Sequence, residues 1–359
     1  MNRKSSLSTW RRVSESKLFL PSVALALILL FDLFLIPGFF KVEVKGGGLY
    51  GNLIDILRNG ACMMLLAIGM TLVVATGGVD LSVGAVMAIA ASVAAIMMNP
   101  VIIGVKLPPN LMRFINDPYF TYSPLWEVIV VTLLVCTLCG LWNGFLVSYM
   151  RIQPMVATLI LMIAGRGIAQ LITNGVRIQI FYEPYAYLGK GMLLVPFPLY
   201  IVAAFYLVAW LLTRRTAIGM FIESVGINPR STSLSGVDDR KIKLFAYAFC
   251  GLCAGMAGII ASANIKTSDA NQIGLTYEMD AILAAVLGGT LVGVGGRFSL
   301  LASMIGALVM QATTTSMYAL GVPANAVTAI KALVVVVVIV LYSEQVRGFF
   351  ARFSTQKGS

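Results

Sequence analysis

An acidic residue interrupts a long apolar stretch in the first third of the chain. The segment ATGGVDLSVG (75–84) places Gly77 and Gly78 just before Asp80. Paired glycines allow backbone conformations that other residues resist, and an ionisable residue between two apolar runs is a candidate functional residue. Two interpretations are open. Asp80 or Ser82 caps the helix that follows a tight turn, or a broken helix lines a cavity, as in transporters with a site near the membrane midplane.

A second glycine-rich break lies in the other half of the chain. The segment LGGTLVGVGGRFS (287–299) contains five glycines. Glycine-interrupted apolar segments in both halves point to an internal repeat around a central path. The two breaks are therefore predicted to be related, and the polar residues beside them are compatible with a path for an uncharged polar solute.

Further polar side chains lie within or beside the apolar runs. Arg166, in TLILMIAGRGIAQ, is either paired or hydrated inside the membrane or extends towards its outer surface. Glu278 and Asp280 stand at the start of a later run, and Lys331 interrupts the last one. Hydrogen bonding between helices is the alternative role for the neutral groups. The candidates for path or substrate contact are Thr76, Asp80, Ser82, Asn143, Gln153, Thr158, Arg166, Gln170, Glu278, Asp280 and Thr290.

Enzyme chemistry and metal binding find little support in the sequence. There is no histidine, which removes the usual acid–base group near neutral pH and the commonest metal ligand. The sequence contains neither a phosphate-binding loop nor a nucleophile elbow. Two CxxC pairs, at 136/139 and 250/253, have zinc-like spacing, but inside apolar helices they favour packing on one helix face. We predict no catalytic residue, no metal site and no cofactor in this chain.

The composition identifies the class of protein that holds these residues. The 359 residues are 59% hydrophobic and 11% charged, with a mean hydropathy of +0.90, whereas soluble domains carry about 25% charge. The apolar residues form blocks long enough to cross a bilayer. The sequence predicts an all-α polytopic membrane protein of about ten transmembrane helices, with glycine-interrupted segments in both halves. The predicted spans are Leu18–Phe40, Ala61–Val79, Leu81–Met98, Val128–Met150, Ile152–Leu171, Leu193–Leu212, Leu244–Ala263, Ala281–Gly296, Phe298–Val322 and Ala326–Tyr342.

Two pairs of these spans are separated only by the glycine-rich breaks. The second and third spans form one pair, and the eighth and ninth form the other, so either pair can be a spanning helix plus a half-helix. In the seventh span, Gly251, Gly255 and Gly258 predict close helix packing through small residues.

Basic residues predict the orientation. With ten spans and the N-terminus inside, the inside segments hold 16 Lys and Arg residues and the outside segments hold eight, which places both termini in the cytoplasm. The same placement of basic residues in loops beside apolar spans explains the net charge of +11, so no nucleic-acid partner is expected. We predict a cytoplasmic segment (1–17), a single transmembrane domain (18–342) with an inside loop (213–243), and a cytoplasmic tail (343–359).

The inside loop carries its own helix signals. Its central part is bounded by Gly219 and Gly236, and Asn228 is a plausible N-cap for a helix that begins at Pro229. An exposed short helix here could lie on the membrane or dock into a groove of a partner. A solvated loop is the alternative.

Long motifs across nearly the whole chain resemble the permease subunit of a bacterial monosaccharide ABC importer of the ribose, xylose and galactofuranose type. The stretches that carry the resemblance are TGGVDLSVGAV (76–86), WNGFLVSYMRIQPMVATLILMIAGRGIAQ (142–170), TAIGMFIESVGINPRSTSLSGV (216–237), SDANQIGLTYEMDAILAAVLGGT (268–290) and the GGR at 295–297. The IQPMVATLILMIAGRG stretch and the Lys331 region are most similar to a galactofuranose-type permease. The longer second break and the Pro-Arg-Ser-Thr after Asn228 depart from the family pattern and weaken any transfer of substrate identity.

The resemblance implies a set of partners and a mechanism. It implies an ATPase subunit that binds ATP and Mg on the cytoplasmic side, a periplasmic sugar-binding protein, and a second permease, either a related chain or a second copy, in the bacterial inner membrane beside lipid. It also implies that the inside loop is a coupling helix with Glu223, Gly226, Asn228 and Gly236 at motif positions. The expected function is import of galactofuranose or a similar sugar by alternating access; the alternative is an ion-gradient-driven carrier that uses Asp80, Glu278 or Asp280.

Overall fold

The computed structural model describes residues 18–45, 48–98, 123–290, 293, 295–323 and 326–333. The predicted terminal segments 1–17 and 343–359 lie outside the described residues. So do most of the loop at 99–127 and the second half of the predicted tenth span.

Helices dominate the described part of the chain. The longer ones are α1 (Phe19–Leu35), α2 (Asn52–Ala75), α3 (Val83–Met98), α4 (Leu125–Ser148), α5 (Pro154–Thr173), α7 (Phe197–Arg214), α10 (Asp239–Ile265), α11 (Tyr277–Leu287) and α12 (Leu300–Ala319). The shorter ones are α6 (Glu183–Lys190), α8 (Ile218–Ile227) and α9 (Pro229–Leu234). Residues 326–333 are also helical.

Two small antiparallel ladders join loops at one end of the helices. Strand β1 (Glu43–Lys45) pairs with β2 (Gly48–Tyr50), just before α2. Strand β3 (Ile178–Gln179) pairs with β4 (Thr267–Ser268), which ties the segment after α5 to the segment after α10.

Helices α2 and α10 form the centre of the bundle. Along α2 the described side chains from Gly60 to Ala75 are all buried, so this helix is apolar all round, as expected for a helix surrounded by protein. Helix α10 packs against α2, α3 and α4. The predicted small-residue packing is confirmed, because Gly251 lies against the backbone of Gly140 and Gly258 lies against the backbone of Met87.

Six helices of the described chain are long and apolar enough to cross a membrane: α2, α4, α5, α7, α10 and α12. Helices α1 and α3 are shorter and apolar. The all-α polytopic architecture is confirmed, while the count of ten spans stays a prediction.

The largest departures from the predicted spans lie at two boundaries. The eighth span, Ala281–Gly296, was too long, because α11 ends at Leu287 and the residues described between 288 and 299 are not helical. Glycines at 288 and 289 end this helix as a C-cap, so its 11 residues form a half-helix. The second span begins at Asn52 rather than Ala61, so Arg58, assigned to an outside loop, lies within α2.

Candidate functional site

The first glycine-rich break begins with a regular helix C-cap. Thr76 follows α2, and Gly77 adopts a left-handed conformation with φ of 83°. The N–H of Gly77 donates to the Val74 carbonyl at 2.9 Å, and the N–H of Gly78 donates to the Val73 carbonyl at 3.2 Å. This pair of hydrogen bonds defines a Schellman motif, which needs glycine at the left-handed position.

The second break repeats this geometry. Gly289 has φ of 78°, and its N–H donates to the Val286 carbonyl at 2.8 Å. The N–H of Thr290 donates to the Ala285 carbonyl at 3.2 Å. Both breaks therefore end a helix through the same C-capping pattern, which also ends α5, α9 and α12, so the relation between the two breaks stays a prediction.

Asp80 lies in a buried polar network at the first break. One carboxylate oxygen accepts hydrogen bonds from the Ser82 N–H at 2.9 Å and from the Ser82 hydroxyl at 2.6 Å. The Asn143 amide donates to the Ser82 hydroxyl at 2.8 Å and to Asp80 at 3.4 Å. Asp80 is only 1% exposed. Its contacts organise the turn before α3, but the N–H that it binds is that of Ser82, which precedes the helix, so both interpretations of Asp80 stay predictions.

Two neighbouring helices hold the extended backbone on either side of Asp80. Thr158 of α5 accepts from the Leu81 N–H at 3.1 Å and reaches the Val79 carbonyl at 3.5 Å. Tyr247 of α10 donates from its hydroxyl to the same Val79 carbonyl at 3.2 Å. Asp80 therefore holds the break through hydrogen bonds within the segment, and Thr158 and Tyr247 hold its backbone from two neighbouring helices. Sequence reasoning missed Tyr247, whose role depends on a contact across 168 positions.

The two breaks meet helix α8 of the loop 213–243. The Gly296 N–H donates to the carbonyl of Ala75, the last residue of α2, at 2.8 Å. Gly226 of α8 lies against both of these atoms, and Gly295 also contacts Gly226. Three segments distant in sequence therefore touch through their backbones at one point.

A cleft of about 1340 Å³ opens beside this contact. Thr76 and Gln153, both predicted as path candidates, line it together with Tyr247 and Gly226. Its charged lining residues are Arg151, Arg230, Asp238, Asp239, Arg240 and Lys243. Basic groups outnumber acidic ones in this set, so the mouth of the cleft is electropositive.

The other predicted coupling residues surround this contact. Asn228 caps α9, because its side-chain oxygen accepts from the Ser231 N–H at 3.0 Å. Gly236 lines the cleft with φ of 85°, a conformation that glycine adopts without strain. Glu223 lies half-buried on α8.

A second group of predicted residues lies away from the cleft. The Arg166 guanidinium donates to the carbonyls of Ile273 and Ala270 at 2.6 and 3.2 Å. Gln170 donates to the side chain of Asn271 at 2.6 Å. One guanidinium nitrogen of Arg166 therefore binds backbone carbonyls of the segment between α10 and α11, while the choice between a position inside the membrane and extension to its outer surface stays a prediction.

Asp280 forms an ion pair that sequence alone left without a partner. The Lys331 ammonium lies 2.7 Å from its carboxylate, and both side chains are largely buried. Glu278, two residues earlier, has one carboxylate oxygen without a hydrogen-bond partner in the described part of the chain. The Thr290 hydroxyl is likewise buried and lacks a hydrogen-bond partner among the described residues.

The first helix contains a buried acid that sequence reasoning did not single out. Asp32 of α1 is fully buried and accepts a hydrogen bond from the Ser316 hydroxyl at 2.6 Å. An aspartate in an otherwise apolar 17-residue helix is a visible signal. The partner, 284 positions away, could not be read from it.

The path candidates thus fall into separate groups. The structure brings Asp80, Ser82, Asn143 and Thr158 into one network beside the cleft. Arg166 and Gln170 of α5 contact the segment before α11, and Asp280 pairs with Lys331.

The chain matches one protein family and several curated permeases. Residues 52–342 match the family described as "Branched-chain amino acid transport system / permease component". The chain is 47% identical over 325 residues to the galactofuranose transporter permease protein YtfT of Escherichia coli K12, covering 90% of this chain and 89% of the relative.

Two other relatives are more distant. The chain is 36% identical to the fructose import permease protein FruF of Bifidobacterium longum, covering 87% and 83% of the two chains. It is 31% identical to the ribose import permease protein RbsC of Haemophilus influenzae, covering 94% and 96%. No solved structure matches the chain.

Proposed function

Because this chain belongs to the family of permease components of transport systems, we propose that it forms the translocation path of an ABC importer for a monosaccharide. The observation that carries the proposal is its similarity over most of its length to permeases named for galactofuranose, fructose and ribose. Galactofuranose or a similar sugar is the substrate that this similarity favours, since the galactofuranose permease is 47% identical to this chain over 325 residues.

The proposed orientation places the loop 213–243 and both termini in the cytoplasm of a bacterium, with the chain in the inner membrane. The excess of basic residues in the inside segments supports this direction. The cleft beside α8 then opens to the cytoplasm, so the arrangement corresponds to an inward-open path.

The coupling step follows from the contact at Gly226. A partner ATPase, which would bind ATP and Mg, presses on α8 when it closes. Because Gly226 touches both Ala75 and Gly296, a displacement of α8 moves the end of α2 and the second break together. These two segments border the cleft, so their movement changes its opening.

The remaining partners belong to the same proposal. A periplasmic binding protein delivers sugar to the outer side, and a second permease, either a related chain or a second copy, completes the path. Neither the buried Asp80 network nor the Asp280–Lys331 pair needs to exchange ions in this scheme, because ATP hydrolysis supplies the energy.

Purification of the tagged chain from its native membrane, followed by mass spectrometry, tests the assembly. Recovery of an ATPase is expected, with either a second permease or this chain alone beside it. The purified complex in proteoliposomes should then import sugar only with ATP and binding protein. Uptake by the isolated chain under a sodium or proton gradient would overturn the proposal in favour of a secondary carrier.

A further inference from the structure

The segment between α10 and α11, residues 267–276, runs back along the last turns of α5. Three contacts define its course. Arg177 pairs with Asp269 at 2.7 Å, Gln170 bonds to Asn271 at 2.6 Å, and Arg166 bonds to the carbonyl of Ile273 at 2.6 Å. From Arg177, which follows α5, back to Arg166 within it, the partner moves from Asp269 to Ile273, and Arg166 also donates to the Ala270 carbonyl at 3.2 Å. The segment therefore runs in the direction opposite to α5. We call residues 267–276 the return segment.

The return segment enters the span of α5. Arg166 lies seven positions before the end of this span at Thr173, which corresponds to roughly 10 Å at the rise of an α-helix. Beyond Ile273, the backbone of Gly274 packs directly on the backbone of Gly84, near the start of α3. The non-helical backbone of the return segment therefore lies deeper in the helix bundle than the C-terminal end of α5, a helix long enough to span the membrane.

Polar side chains of this segment are not covered by the described part of the chain. Asn271, Gln272 and Thr276 are exposed, as is Gln170 beside them. Irregular backbone at membrane depth occurs where protein buries it or where it lines water, because lipid cannot satisfy its polar groups. Direct contact of this irregular backbone with lipid is therefore unfavourable, although Leu275 of the same segment exposes an apolar side chain.

Thr276 shows a further sign of a specialised site. Its φ is 68°, a conformation that is a genuine outlier for a β-branched residue, and such strain clusters at functional sites. Thr276 precedes α11, yet its hydroxyl makes no capping hydrogen bond. The hydroxyl thus stays free of the local bond that threonine usually makes at this position.

We propose that Gln170, Asn271, Gln272 and Thr276 face the water-filled translocation path and hydrogen-bond the hydroxyl groups of the sugar. Amides and hydroxyls both donate and accept hydrogen bonds, which suits a neutral polyol. This assignment rests on the proposed function and specifies the class of groups that the path presents to its substrate.

Thiol accessibility in the assembled complex tests the proposal. Gln272→Cys is placed in the transporter in lipid nanodiscs and labelled with a charged sulfonatoethyl methanethiosulfonate. The matched control is Leu134→Cys, since Leu134 is 59% exposed on the apolar face of α4. The unmodified complex gives the background, because four of the five native cysteines are buried and the fifth is partly buried. Gln272→Cys should react at least about tenfold faster than the control, because a charged reagent is excluded from lipid.

Protection by sugar separates a path residue from a merely hydrated one. Galactose, ribose and fructose are added in turn with the binding protein, and the sugar that the unmodified complex imports should slow the labelling. A rate equal to that of Leu134→Cys, or a fast rate that the imported sugar leaves unchanged, would overturn the proposal. Failure of the unmodified complex to import any sugar would instead refute the proposed function, and the comparison with Leu134→Cys would still report on the surface.

Discussion

Gly226 and Gly296 are in backbone contact although 70 positions separate them in the chain. A Cβ atom built on Gly226 would overlap the nitrogen of Gly296 and the carbonyl oxygen of Ala75, which are themselves hydrogen-bonded at 2.8 Å. The helix of the loop 213–243 thus rests on the point where the two glycine-rich breaks meet. Because these backbone atoms are in direct contact, we expect a movement of this helix to displace both breaks.

Substitution Gly226→Ala tests this coupling. The added methyl group meets backbone atoms, which cannot rotate away, so α8 must separate from the breaks at a cost of about 1–3 kcal/mol. We expect ATP hydrolysis by the assembled transporter to lose most of its stimulation by sugar-loaded binding protein, and uptake to fall with it. Both are measured in proteoliposomes.

Ser224→Ala is the matched control on the same helix. The Ser224 hydroxyl donates to the Met220 carbonyl one turn earlier on the same helix, so its loss should leave stimulation close to that of the unmodified transporter. Full coupling in Gly226→Ala would show that the contact with Ala75 and Gly296 does not transmit the movement.

Gly78 and Tyr247 offer a test of steric fit at the first break. A Cβ at Gly78 would lie 2.5 Å from the Tyr247 hydroxyl, so Gly78→Ala should lower the thermal unfolding midpoint through overpacking of about 1–3 kcal/mol. Tyr247→Phe removes the clashing oxygen at the cost of one hydrogen bond, about 1 kcal/mol. The double variant should therefore be more stable than Gly78→Ala alone. Additive losses in the unfolding free energy would contradict the fit described for this pair.

Substitutions of Asp80 distinguish a structural role of its carboxylate from a role in ion transport. Asp80→Asn keeps an oxygen that can accept from Ser82 and Asn143, so ATP-driven sugar uptake should be largely retained. Asp80→Ala leaves those buried donors without an acceptor, at about 1–3 kcal/mol for each group, and should lower the unfolding midpoint. Uptake and unfolding are measured on the same preparations. Abolished uptake in a stably folded Asp80→Asn variant would favour the ion-driven alternative.

The buried pair of Asp280 and Lys331 predicts an asymmetric response to mutation. Lys331→Met leaves a buried carboxylate unpaired, which costs about 3–5 kcal/mol, whereas replacing both partners by apolar residues is often neutral. Thermal unfolding should therefore show a large loss for Lys331→Met and recovery in Lys331→Met/Asp280→Leu. The control is Lys241→Met, which breaks an exposed pair with Asp238 and should change stability by about 1 kcal/mol or less. Equal effects of the two lysine substitutions would refute burial of the Asp280 pair.

The sequence by itself determined the features that depend on local pattern. Blocks of apolar residues predict a polytopic helical membrane protein, since only helices of this length satisfy their own backbone in lipid. Paired glycines predict the two breaks, because the left-handed position of a Schellman motif strongly favours glycine. Asn228 before Pro229 predicts the start of α9 in the same way, from the chemistry of a helix N-terminus.

Hydropathy could not locate the end of α11, because the apolar run continues past the C-cap at Gly288. Hydropathy also places the start of α2 too late, for the opposite reason. The first two turns of α2 contain Asp55 and Arg58, which lower the local hydropathy without ending the helix.

Only the tertiary structure decided which distant groups meet. Asp280 pairs with Lys331, 51 positions away, and Asp32 accepts a hydrogen bond from Ser316, 284 positions away. Carbonyls of the return segment accept hydrogen bonds from Arg166. Periodicity and turn chemistry constrain neighbours along the chain, but they carry no information on which helices pack side by side. The convergence of both breaks on Gly226 arises from that packing, because close backbone approach requires glycine at 226 and at 295–296 and also requires the bundle to bring these segments to Ala75.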